Sequence, residues 1–74
     1  MERLIELLKN AMPTVNFGDG KNLISGGIID SLGVITIVMT ISEEYGISLD
    51  PEDISIANFD SIENIWELIV KKQG

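Results

Sequence analysis

The 74 residues hold five Lys+Arg against twelve Asp+Glu, a formal net charge of −7, with neither histidine nor cysteine. Those counts exclude a Cys/His zinc site, a serine or cysteine nucleophile paired with histidine, and any disulfide. The fold has to rest on apolar packing alone, for which an apolar share of 45% is enough.

The acidic balance disfavours nucleic acid, whose phosphates are held by Lys and Arg, and favours basic partners. No basic-then-apolar leader opens the chain, and no apolar run approaches the ~20 residues of a membrane span. A single domain over residues 1–74, cytoplasmic and monomeric, is expected.

From Glu2 to Met12, the residues Leu4, Ile5, Leu8, Ala11 and Met12 recur at the spacing of one helix face. Pro13 supplies the stop. Residues 14–30 read as a long loop with Gly18, Gly20, Gly26 and Gly27, anchored by Phe17, Leu23, Ile24, Ile28 and Ile29. The loop holds neither a Walker pattern nor GxGxxG.

A second helix is predicted from about Ser31 to Tyr45. At roughly 100° per residue, Leu32, Ile35, Val38 and Met39 fall on one side, widened by Val34, Ile37 and Ile41. The remaining arc holds Gly33, Thr36, Thr40, Glu43 and Glu44. A helix so widely apolar is expected at the centre, touched on several sides. Gly46 is placed for a left-handed stop, with Ile47 closing the cap.

Asp50 as N-cap and Pro51 at N1 start a short helix through about Ile56. Asp60 as cap, with Glu63 three residues on, forms a capping-box pattern for the last helix. There Ile62, Ile65, Trp66, Ile69 and Val70 share a face, and Lys71-Lys72 sit at the negative end. The sum is an all-α, four-helix bundle: three longer helices, one short one, and a long loop between the first two. Leu8, Ile35, Val38, Ile62, Ile65 and Ile69 are its expected inward positions.

Asp30-Ser31 stand where the glycine-containing loop meets the second helix. A serine hydroxyl there lies beside free N–H groups and the positive helix end, which tolerate a phosphodiester. Either residue also serves as a plain N-cap. Gly33 and Val34 stand three residues on, so no capping box competes for the place.

The run Gly27-Ile28-Ile29-Asp30-Ser31-Leu32 resembles the 4′-phosphopantetheine attachment motif of acyl carrier proteins, where Gly, two variable residues and Asp-Ser-Leu open helix two. Ile41-Ser42-Glu43-Glu44-Tyr45-Gly46-Ile47 is similar to the family's ending of that helix. Pro51-Glu52-Asp53-Ile54 resembles its short third helix, and Asn58-Phe59-Asp60-Ser61-Ile62 its entry to helix four. The likeness covers nearly the whole chain.

This resemblance implies a bundle of the acyl-carrier-protein type and a carrier with no catalytic or metal-binding residues of its own. Ser31 would take 4′-phosphopantetheine from coenzyme A, installed covalently by a separate phosphopantetheinyl transferase. The arm's thiol would hold an acyl or aminoacyl group as a thioester. Asp30 would help to place the transferase's metal or basic groups, and Leu32 would contact the transferase or the arm, or else belong to the core. Gly33, Thr36, Glu43 and Glu44 would lie on the surface read by an acyl- or aminoacyl-activating ligase and by acyltransferases.

Fatty-acid carriers usually place an acid after Asp-Ser-Leu and another about three residues on, where this chain has Gly33 and Thr36. The motif is closer to D-alanyl carrier proteins of teichoic acid modification and to stand-alone carriers of specialised pathways. The expected function is a shuttle of acyl groups in fatty-acid-like or specialised biosynthesis. An unmodified acidic helical adaptor would share the bundle and charge, but gives no reason for the serine after Gly-x-x-Asp.

Overall fold

A computed structural model describes residues 1–74. In it Glu2–Ala11 form α1, Ser31–Tyr45 α2, Ile56–Phe59 α3 and Ile62–Gln73 α4, with a 3₁₀ turn at Pro51–Asp53. The chain is all-helical, as expected. Leu4 and Leu8 of α1, Ile37 and Ile41 of α2, and Ile62, Ile65, Leu68 and Ile69 of α4 recur at three- and four-residue spacing. They form one core with Phe59 of α3 and the loop residues Phe17, Leu23 and Ile29. Ile24 and Ile28, the other expected anchors, are half-buried.

Of the six expected inward positions, Leu8, Ile62, Ile65 and Ile69 are buried. The rotation of α2 is where the expectation fails. Ile35 is 53% exposed and Val38 only half-buried, while Ile37 and Ile41 are fully buried. Apolar residues surround this helix, so hydrophobicity alone leaves its rotation open; contact with α1 and α4 fixes it. Nor is α2 the central element. That place falls to α4, which packs on α1, α2 and α3, whereas α2 keeps one side open.

The expected ending of α2 is present. Gly46 is left-handed (φ 62°), and the N–H of buried Ile47 donates to the Ser42 carbonyl at 3.2 Å. The expected short helix through Ile56 is instead two one-turn pieces. Asp50 is the N-cap of the first, as expected, and its N–H donates to Asp53 Oδ2 at 2.8 Å. Lys72 Nζ stands 2.7 Å from the same oxygen, tying the 3₁₀ turn to the end of α4. The chain then extends, and Ser55 Oγ starts α3 by accepting the Asn58 N–H at 3.2 Å.

The expected capping box at Asp60, by contrast, is not formed. Ser61 caps α4, its Oγ accepting the Asn64 N–H at 3.0 Å. Asp60 turns to the long loop instead. Its Oδ1 accepts the N–H groups of Ile24 and Ser25 at 2.8 and 2.9 Å. Its Oδ2 accepts the Ser25 hydroxyl at 3.0 Å, and its carbonyl the Leu23 N–H at 2.7 Å. Nearby, the Ile62 N–H donates to the Gly20 carbonyl at 2.8 Å. Gly20 meets two demands there: a φ of 76°, and an approach that would set a Cβ 3.1 Å from Ile62 Cδ1. Residues 20–25 are thereby lashed to the junction of α3 and α4.

Two measurements check this packing. Ile37→Ala should cost about 2–5 kcal/mol of unfolding free energy by urea titration, and Ile35→Ala under about 1 kcal/mol. The second concerns acid. The Ser25 and Ile24 N–H groups and the Ser25 hydroxyl hold the Asp60 carboxyl below its ordinary range, against the opposing effect of burial. Lys72, with the Asp50 N–H, does the same for Asp53. A lowered folded-state value stabilises the fold above the unfolded-state value of about 3.9. That contribution is lost as pH falls through the folded-state values. The urea midpoint should therefore drop below about pH 4, and Asp60→Asn, which cannot titrate, should flatten the drop.

Candidate functional site

Asp30 closes the loop in an extended conformation (φ −106°, ψ −171°), and its Oδ1 accepts the Gly33 N–H at 2.9 Å. Of the two candidate caps it is therefore Asp30 that serves. Ser31 is the first residue of α2, exposed, with its hydroxyl left out of the cap. By position, the N–H groups of Ser31 and Leu32 have no partner within the helix, so the serine stands at the positive end of a 15-residue helix.

Gly33 has a packing role. A Cβ there would stand 3.1 Å from the Ile29 Cβ and 3.6 Å from Asp30 Oδ1. Its absence lets Ile29, the last buried anchor of the loop, press against the first turn of α2. Gly33 is half-buried, and a docking enzyme would meet only its backbone.

Beside Ser31 runs an open groove of about 560 Å³, lined by Ile24, Ile29, Val34, Ile35, Ile54 and Ile56, with Asp30, Ser31 and Ser55 as its polar members. A second hollow of about 580 Å³, between α1, residues 17–22 and the start of α4, shares none of these residues and is lined by more polar than apolar side chains. No group of three carboxylates is placed to hold a metal ion. No helix is long and apolar enough to cross a membrane.

Leu32 is 72% exposed, which removes its alternative reading as a core residue. With Thr36, Met39 and Glu43 it follows the helical repeat on the side of α2 opposite Ile37 and Ile41. Thr36 and Thr40 satisfy their hydroxyls internally, donating to the carbonyls of Leu32 and Thr36 at 3.0 and 2.7 Å. From Ser31 to Ser42 the helix carries no charged side chain. Glu43 is exposed, whereas Glu44 pairs with Arg3 of α1. The four residues expected on the partner surface thus differ: Glu43 is open, Thr36 partly so, Glu44 is engaged, and Gly33 is packed.

Sequence reasoning missed the far wall of the groove, Ile54 and Ile56, and the part taken by Asp60. One signal for Asp60 was present. Asp60-Ser61 puts two good caps side by side at one helix start, and a helix uses only one.

A family model described as the phosphopantetheine attachment site matches residues 2–69, from the start of α1 to the last buried residue of α4. No curated protein and no solved structure matches the chain. Members of that family are carriers modified after translation. The chain therefore belongs to the phosphopantetheine-carrier family, that of the acyl carrier proteins, and is a carrier rather than an enzyme.

Proposed function

We propose that Ser31 bears the phosphopantetheine and that the chain passes acyl or aminoacyl groups between enzymes that dock on the open side of α2. The observation that carries this is the division of labour at the start of α2. Asp30 caps the helix, so the Ser31 hydroxyl is exposed and uncommitted. A phosphodiester there would have its charge at the positive helix end, beside two N–H groups without helical partners. The residues present fit the group.

In the attachment step, the Ser31 oxygen forms a bond to the phosphorus of coenzyme A that carries the pantetheine. The pyrophosphate P–O bond breaks, adenosine bisphosphate leaves, and the hydroxyl proton passes to the transferase. When bound, the arm supplies a thiol that holds cargo as a thioester. The chain's own residues supply the address, and the apolar groove beside Ser31 supports cover for the arm's apolar atoms.

Partner choice follows from the open side of α2. Leu32, Ile35 and Met39 are 72%, 53% and 62% exposed, and Glu43 is the open acid on that side. An enzyme whose docking patch is basic finds little to hold there. A dedicated acyl- or aminoacyl-activating ligase and its acyltransferase, approaching over an apolar contact, fit better than general fatty-acid enzymes. The packing role of Gly33 means that this glycine carries no weight for a D-alanyl cargo.

Incubation with coenzyme A and a broad-specificity phosphopantetheinyl transferase should add one phosphopantetheine by intact mass, and Ser31→Ala should abolish the addition. Since Ser31 is not the cap, that variant should lose under about 0.5 kcal/mol of stability. A Ser31→Ala protein that still accepts the arm would refute the assignment. Thr36→Glu, which leaves the Gly33 packing untouched, should speed transfer by enzymes with basic patches. That gain should shrink as salt is added.

A further inference from the structure

Asp60 holds amides that lie 35 and 36 residues before it, within the long loop between α1 and α2. Leu23, Ile24 and Ser25 all donate their N–H groups to this one residue. What it holds leads directly to the serine. Ile24 lines the groove beside Ser31. The Leu23 carbonyl accepts the Ile29 N–H at 2.8 Å, closing residues 23–29 into a compact turn. Ile29 in turn packs at 3.1 Å against the place where Gly33 lacks a Cβ, alongside the Asp30 cap.

From this path we infer that Asp60 is a positioning residue for the modification of Ser31, an inference that rests on Ser31 being the attachment residue. The loop contains Gly18, Gly20, Gly26 and Gly27, and unheld it has much backbone freedom. Asp60 is not among the residues that line the groove beside Ser31. It raises the fraction of molecules in which Ile24, Ile29 and Asp30 stand as the transferase must find them. When only a fraction of a protein is competent, apparent affinity falls by that fraction, while the bound complex is unchanged. Loss of Asp60 therefore acts on KM and spares kcat.

The test is transferase kinetics with coenzyme A and the unmodified protein, alongside hydrogen exchange of the amides of residues 22–29. Asp60→Ala should raise KM for the carrier about tenfold with kcat within about twofold, and should speed exchange in the loop. Asp60→Asn, which keeps an acceptor for both amides, and Ser25→Ala should each raise KM about two- to threefold. Leu68→Ala, a core truncation in α4 away from the loop, is the control for lost stability and should leave KM within about twofold while folded.

Faster exchange in Asp60→Ala with KM unchanged would overturn the inference. So would a loss confined to kcat, or a KM for Leu68→Ala as high as that for Asp60→Ala. If Asp60→Ala does not fold, Asp60→Asn and Ser25→Ala decide, and wild-type KM in both refutes the role. Wild-type protein that takes no arm on Ser31 refutes the attachment reading itself. Normal wild-type modification with unmoved variants refutes only the part given to Asp60.

Discussion

Four hydrogen bonds to Asp60 set the geometry on which the rest of this small protein depends. Apolar anchors alone pin a loop at points: Phe17, Leu23 and Ile29 are buried, yet a buried side chain leaves the backbone between anchors free to choose its path. Fixing that path costs about 1–2 kcal/mol of backbone entropy per residue. A carboxylate that accepts two adjacent amides and a hydroxyl fixes direction as well as position, because its acceptors lie in one plane. The same residue links the loop to the α3–α4 junction, where Ile62 N–H meets the Gly20 carbonyl. The loop that presents the serine is thus braced by the C-terminal helices as well as by its own helix.

The charges are arranged around the site rather than in it. Lys72 joins Asp53, and through it the 3₁₀ turn, to the end of α4; Arg3 joins α1 to Glu44 at the far end of α2. Both ion pairs leave the Ser31–Ser42 stretch bare of charge in a chain of net charge −7. On the docking proposed above, a surface of this kind divides the tasks of recognition. The surrounding acids govern which proteins approach and how fast. The uncharged, exposed stripe of Leu32, Ile35 and Met39 would then govern how long an approaching protein stays, since differences in affinity lie mainly in dissociation.

Much of this was legible in the sequence, for reasons that can be named residue by residue. α1 and α4 each have one main apolar face, so periodicity gave their extent and most of their inward sides, Leu8 and Ile65 among them, although Ala11 and Val70 are exposed and Leu68 is buried in their place. The left-handed Gly46 and the Asp30-Ser31 junction follow from local chemistry that little else can satisfy. The rotation of α2 was not legible, because Ile35 and Ile37 are the same residue type on different sides of one helix. The choice between Asp60 and Ser61 was also hidden: both are good caps, and the loop amides that claim Asp60 lie too far away in sequence for a local reading. The split of the short helix has the same origin, since Lys72, which draws Asp53 inward, is 19 residues beyond it (72 − 53 = 19). The groove was lost with these, because its far wall, Ile54 and Ile56, is placed by that split.

Bracing the loop from α4 also bears on the order in which the molecule is made. Asp60 and Ile62, the residues that secure the loop before Ser31, follow the serine in the chain, so during synthesis the serine is made before its brace. At that stage α1 and α2 lack α4, which packs on both in the complete fold. With Ser31 as the attachment residue and Asp60 as its positioning residue, as proposed, a chain in which α4 has not docked would carry the serine without the setting that presents it to the transferase. On that proposal, the loop couples modification of the serine to the docking of α4.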